Sequence, residues 1–155
     1  MVRPTQYAKD RLTFVGTDRR VRAVPISHHR RADAVKKGGT MALIAIEAAI
    51  RFADQATRDA AIAASIPFQK ATRDDEPGCI VYCFAADPIE PELIQVYELW
   101  ADAESLAAHF LHPNYFDMRS TLGKFGLTSA ESRKHRIDAT APVYDSDFTA
   151  RANFD

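Results

Sequence analysis

Three apolar runs, and the order in which they alternate with helix-type segments, constrain this chain more than any other feature. MALIAIEAAIRF, from Met41 to Phe52, is apolar with little alternation, the pattern of a central strand covered on both faces. CIVYCFA (Cys79 to Ala85) and LIQVYELW (Leu93 to Trp100) are β-branched and aromatic, and the turn from Asp87-Pro88 through Pro91 joins them as a hairpin. Between the first run and the hairpin lies QATRDAAIAASI, rich in helix formers, with Ile62 and Ile66 one turn apart. Pro67 is expected to bend or restart that helix before Phe68 to Arg73, and Asp74-Asp75-Glu76-Pro77-Gly78 to end it.

After the hairpin, Asp102 is placed to cap a second helix by accepting from its free backbone amides. The apolar face of that helix reads Leu106, His109, Phe110, Pro113, then Tyr115, Met118, Arg119, Leu122, before Gly123 and Gly126. A last strand is expected near Ser132 to Thr140. The order is strand, helix, strand, strand, helix, strand. It predicts a ferredoxin-like α+β fold, βαββαβ, with both helices on one face of an antiparallel sheet. The other sheet face is left bare and apolar, so a homodimer that closes two sheets into a barrel is expected.

Composition matters mainly through its asymmetry. Residues 1–40 carry ten Lys/Arg against three Asp/Glu, whereas residues 41–155 carry ten against eighteen. The expected organisation is a basic N-terminal extension over 1–40, a folded domain over 41–142 and a polar, loosely held tail over 143–155. Forty residues with so few large apolar groups cannot fold alone. Three readings of them stay open: a mobile basic arm, a hairpin of Leu12–Val15 with Val21–Ile26, or a start upstream of the true one at Met41. Nucleic-acid binding is a lesser alternative, because no aromatic platform interleaves the basic run. No run approaches the roughly 18 apolar residues of a spanning helix, and the N-terminus lacks a secretory apolar core, which points to a cytoplasmic address and no membrane partner. Cys79 and Cys83 sit four apart in one apolar run, spaced neither as a disulfide framework nor as zinc ligands.

Chemistry concentrates in the third strand and the helix after it. Alternation puts Ile94, Val96, Glu98 and Trp100 on one face, with Leu93, Gln95, Tyr97 and Leu99 on the other. His109, between Leu106 and Phe110, must look inward at the sheet. An indole, an imidazole and a carboxylate in apolar surroundings make a site for a flat aromatic ligand and a proton transfer. A structural reading stands beside it: His109 as a buried histidine bonded to Glu98, and Trp100 as core filling. Tyr82 or Tyr97 adds a phenol, Phe110 a wall, and His112 lies one turn away from His109 at the pocket edge. Nucleotide-binding glycine loops, the G-x-S-x-G elbow and H-E-x-x-H are all missing from the sequence. Neither His28-His29 nor His109/His112 has carboxylates or thiols at a metal-binding spacing, so no metal is expected.

Glu76-Pro77-Gly78-Cys79, Tyr97-Glu98-Leu99-Trp100 and Asp102-Ala103-Glu104-Ser105-Leu106-Ala107-Ala108-His109 together resemble the antibiotic biosynthesis monooxygenase superfamily over about Met41 to Pro142. The resemblance implies small dimeric α+β barrels and, among their members, cofactor-independent quinol monooxygenases. It implies a pocket between sheet and helices, with Glu98, Trp100 and His109 at the motif positions. Where many members have a second histidine following proline, here Pro113 is followed by Asn114, with His112 before it; both are carried as substrate-binding candidates. The expected activity is oxidation of a phenol or hydroquinone by dioxygen without a cofactor. In it, Glu98 orients His109, His109 accepts the phenolic proton and Trp100 packs on the ring. Two alternatives share the pocket: a non-catalytic module that holds an aromatic metabolite, and a haem-degrading enzyme with His109 on the iron. The latter is disfavoured because the first strand lacks the asparagine that the resemblance would then imply.

Overall fold

A computed structural model describes residues 42–154. The readings of the basic leader, its hairpin and His28-His29 fall outside the described residues. The elements in order are β1 (Leu43–Arg51), α1 (Gln55–Asp75), β2 (Cys79–Ala86), β3 (Leu93–Trp100), α2 (Ala103–His109), α3 (Pro113–Gly123) and β4 (Ser129–Ile137). The four strands form one antiparallel sheet in the order β2-β3-β1-β4, which is the ferredoxin-like α+β arrangement. β1 is central, as its apolar run requires. The core lies on the helix side and is built from Ile50, Phe52, Tyr82, Phe84, Ile94, Val96, Trp100, Leu106, Met118 and Leu122.

Three elements differ from expectation. Helix α1 does not restart at Pro67 but runs on through it as one helix. Proline there removes the bond to the Ala63 carbonyl, but Ala63 and Pro67 both lie on the exposed side, where water can take the orphaned acceptor. The buried face of α1 is Arg58, Ala61, Ser65, Gln69 and Thr72, while Ile66 is 57% exposed. The second helix is two helices. α2 ends at His109, and α3 starts afresh with Pro113 in its first turn and His112 as N-cap, the Nδ1 of His112 accepting from the Asn114 amide at 3.2 Å. β4 begins three residues earlier than expected, because SAESRKHRI has no apolar pattern to mark its ends and is exposed on nearly its whole length.

Short polar contacts set the joints. Asp54 accepts from Thr57 N at 2.8 Å and Asp102 from Ser105 N at 2.7 Å, fixing the starts of α1 and α2. Gly78 has φ of +85°, and a Cβ on it would lie 2.2 Å from Ser105 Oγ and 2.5 Å from Ser105 Cβ. Only glycine lets the turn before β2 press against the first turn of α2. The Ala101 amide donates to the Gly78 carbonyl at 2.8 Å and ties the same turn to the end of β3.

Candidate functional site

Strand register brings the first candidates together. Glu98 of β3 pairs with Tyr82 of β2 on one side and Ile46 of β1 on the other, and all three point to the helices. They floor a cavity of about 540 Å³ between the sheet and the α2–α3 arm. Its walls are mostly apolar: Ala48, Ile50, Phe84, Val96, Phe110, Met118 and Leu122, with Tyr115 and Arg119 on the α3 side and Leu127, Ala130, Glu131 and Ser132 where β4 begins. Arg119 lies 5.4 Å over the Tyr115 ring, and its Nη1 donates to the Tyr115 hydroxyl at 3.4 Å.

Glu98 is the buried carboxyl on this wall. The Trp100 indole, two residues along the same strand face, donates to Glu98 Oε2 at 3.0 Å. Burial pushes the Glu98 carboxyl up to about 7; the indole N–H opposes the shift and the charge of Glu76 adds to it. Tyr82 is raised as well, first by burial and then by the nearby charges of Glu98 and Glu76, so it stays a neutral phenol.

Trp100 and His109 converge but do not line the cavity. Their rings pack with centroids 4.6 Å apart at 35°, both fully buried one layer behind the wall, and Tyr82, Phe110 and Tyr115 enclose the imidazole. The carboxylate bonded to His109 is Glu76, not Glu98: His109 Nδ1 lies 2.6 Å from Glu76 Oε2. A carboxylate can only accept there, so Nδ1 carries the hydrogen. Burial holds the His109 imidazole below its ordinary value; Glu76 opposes this and His112 adds to it. Glu76 Oε1 also accepts from Asn114 Nδ2 at 3.1 Å and lies 3.4 Å from His112 Nδ1.

Glu76, which joins α1 to the start of α3, was visible in the sequence only as the opening of the Glu76-Pro77-Gly78-Cys79 motif. Its signal was position: a carboxylate at the end of a helix, before a turn that glycine presses under α2. Of the other candidates, Tyr82 and Phe110 line the cavity, and His112 and Asn114 belong to the Glu76 cluster behind it. Tyr97 is 46% exposed on the opposite sheet face, facing away from the site.

A haem-ligand role does not fit His109, whose Nδ1 is held by Glu76 and whose ring is stacked on Trp100 away from the cavity wall. Among the described residues, no group of three or more His, Cys, Asp or Glu is placed to hold a metal ion. Among the described residues, no helix is long and apolar enough to cross a membrane.

Fold and site together define a ferredoxin-like α+β domain with an apolar chamber between sheet and helices and one buried carboxyl on the chamber wall. Residues 44–120 match the antibiotic biosynthesis monooxygenase family, and the chain belongs to it. Solved structures agree on the fold. A protein from Deinococcus radiodurans named for this family superposes with a TM-score of 0.59 at 15% identity, covering 66% of this chain and 99% of that one. A second, from Caulobacter crescentus, gives 0.57 at 19% identity over 65% and 92%. SnoaB, a cofactor-independent oxygenase from Streptomyces nogalater, gives 0.51 at 13% identity over 65% and 98%. At these identities the likeness is one of fold. No curated protein matches the chain.

Proposed function

We propose that this domain is a cofactor-independent monooxygenase that oxidises an electron-rich phenol or hydroquinone with dioxygen, working as a homodimer. The observation that carries the reading is Glu98: a carboxyl that titrates near neutrality, on the wall of an apolar chamber of about 540 Å³. A base with its pKa near the working pH is the group a phenolic proton needs, and the mostly apolar walls disfavour side reactions with water. The relationship of the fold to SnoaB, described as a cofactor-independent oxygenase, supports the same reading.

In this scheme the substrate hydroxyl gives its proton to Glu98, and the anion supplies electrons to dioxygen. A carbon–oxygen bond forms and the oxygen–oxygen bond breaks. One oxygen atom stays on the ring as a carbonyl, and the other leaves as water with the hydrogens of the hydroxyl and the ring carbon. Trp100 positions Glu98 through its indole N–H, and His109, held by Glu76, positions Trp100. The neutral phenol of Tyr82, beside Glu98 in the sheet, is a donor for the developing oxyanion.

The dimer is assigned to the face opposite the helices, which is mixed rather than the apolar face expected from the sequence: Tyr97 is exposed and Ala49 and Leu99 half-buried among exposed Glu47, Gln95 and Arg133. Such a mixed face can pair with itself about a two-fold axis. Oxygen uptake by the purified protein across a panel of hydroquinones tests the function. Uptake that stops in Glu98→Gln is the expected result. Ligands that quench Trp100 fluorescence with no uptake by the wild type would replace the enzyme with a binding module.

A further inference from the structure

The scheme above gives tasks to Glu98 and Tyr82 but none to Arg119. Exposed on α3, Arg119 is the one cation among the described residues that line the chamber. Tyr115, one turn earlier, holds it in place: the guanidinium carbon lies 5.4 Å from the ring centroid, and Nη1 donates to the phenolic oxygen at 3.4 Å. That bond engages a single N–H of the guanidinium fork and leaves the others for a planar anion. Arg51 and Arg151, by contrast, are spent on carboxylates of their own chain, Glu90 and Glu92 for the first and Asp145 for the second.

A second cation stands at the open edge of the chamber floor. Tyr82 pairs with Glu98, Glu98 with Ile46 and Ile46 with Lys134, so these residues cross the sheet in one row on the side that faces the helices. Lys134 is exposed and follows Ala130 and Ser132 of the lining on the same side of β4. This is not the side assigned to the dimer. Successive strand spacings put the Lys134 backbone roughly 10 Å from that of Glu98, about the length of an aromatic ring hydrogen-bonded at one end and ion-paired at the other. Glu131 borders the same mouth, but its register with Ala49 places it on the opposite face.

The chamber is thus polarised, from an acid on its floor to cations at its rim. A neutral hydroquinone makes no use of that gradient. A ring that carries a carboxylate does. Beside Glu98 the anion would meet like charge and apolar wall, whereas at the rim it meets Arg119 and Lys134, and that choice turns the hydroxyl toward Glu98.

We infer that the chamber takes an aromatic acid, a phenol or hydroquinone bearing a carboxylate, with the carboxylate held by Arg119 and Lys134 at the mouth and the hydroxyl presented to Glu98. The inference rests on the reading under Proposed function for the fate of the ligand but not for its binding, so binding is measured first, without oxygen. Gentisate and homogentisate are titrated anaerobically into the full-length protein by calorimetry, each beside its own methyl ester. Each acid should bind about tenfold tighter than its ester. Arg119→Gln should bring that ratio close to one, Arg119→Lys should keep part of it, and Lys134→Gln should lower it by a smaller factor. Equal binding of acid and ester, a preference that survives in Arg119→Gln, or no binding of either acid overturns the inference. Oxygen uptake with the same compounds separates it from the proposed activity. An acid preference in binding without uptake keeps the anion subsite and removes the oxygenase, whereas uptake with the esters and no acid preference keeps the oxygenase and removes the subsite.

Discussion

Helix α1 buries Arg58, Ser65, Gln69 and Thr72 against one part of the sheet, and the segments around the chamber bury Glu76, Glu98 and His109 a few residues away. The first set is bonded mainly to main chain. Gln69 answers both backbone groups of Phe84, Arg58 reaches the carbonyls of Leu93 and Asp87, and Ser65 caps the Ile62 carbonyl. The second set is bonded to side chains: Glu98 to Trp100, and Glu76 to His109 and Asn114. Polar groups that answer a strand edge hold structure. In the second set it is burial that moves proton affinity, Glu98 up and His109 down, while the side chains they bond, Trp100 and Glu76, oppose the shift. The two sets differ in what is buried: titratable groups among side chains in one, groups answering the main chain in the other.

Substitutions can break that distinction. Glu98→Gln keeps shape and removes the base, so turnover should fall by roughly 10²- to 10⁴-fold with the fold retained, measured as oxygen uptake beside a circular dichroism spectrum. A variant as active as the wild type would move Glu98 to the scaffold set. In the wild type, activity should decline as pH falls through about 7, where Glu98 takes up its proton.

The same variant sharpens the comparison through stability. Glu98 binds its proton more tightly folded than unfolded, so its contribution is full below the unfolded value of 4.5 and is lost as pH rises through about 7. A shift of that size corresponds to roughly 3 kcal/mol. Glu98→Gln should therefore be more stable than the wild type by about that amount at about pH 8 and nearly equal to it at about pH 4, read from urea denaturation.

Gln69→Leu addresses the other set. It leaves the Phe84 amide and carbonyl unanswered and should cost about 2 kcal/mol of stability while turnover per folded molecule holds. A large loss of turnover at unchanged stability would erase the contrast. The smallest effect is expected from Trp100→Phe. Losing the indole N–H that favours the Glu98 carboxylate should move the acid limb of the pH–rate profile upward by about a unit.

The fold was legible because its strands carry strong patterns. Leu93 to Trp100 is bounded by proline turns on one side and the Asp102 cap on the other, and the structure places β3 on those residues. β4 was shifted because its residues are polar and exposed, leaving no periodicity to read. That α1 does not restart at Pro67 is not legible in the sequence, because proline's cost depends on which side of the helix the lost bond faces, a tertiary fact. The inward aim of His109 and Glu98 followed from local spacing. Glu76 did not, since its bond to His109 spans 33 residues. Nor did the separation of the Trp100–His109 stack from the cavity wall, which depends on how Phe110 and Tyr115 close over the imidazole.

Gly78 carries a wider consequence. Because hydrogen there is all that Ser105 tolerates, the turn works as an alignment pin between two parts of the molecule, and Glu76 is aimed from it. The lining of the chamber at Ala48, Val96, Met118 or Leu122 can be recast for ligands of another shape without moving that pin. A lineage built on this scaffold can thus accommodate ligands of new shape while the buried Glu76–His109 pair stays in place.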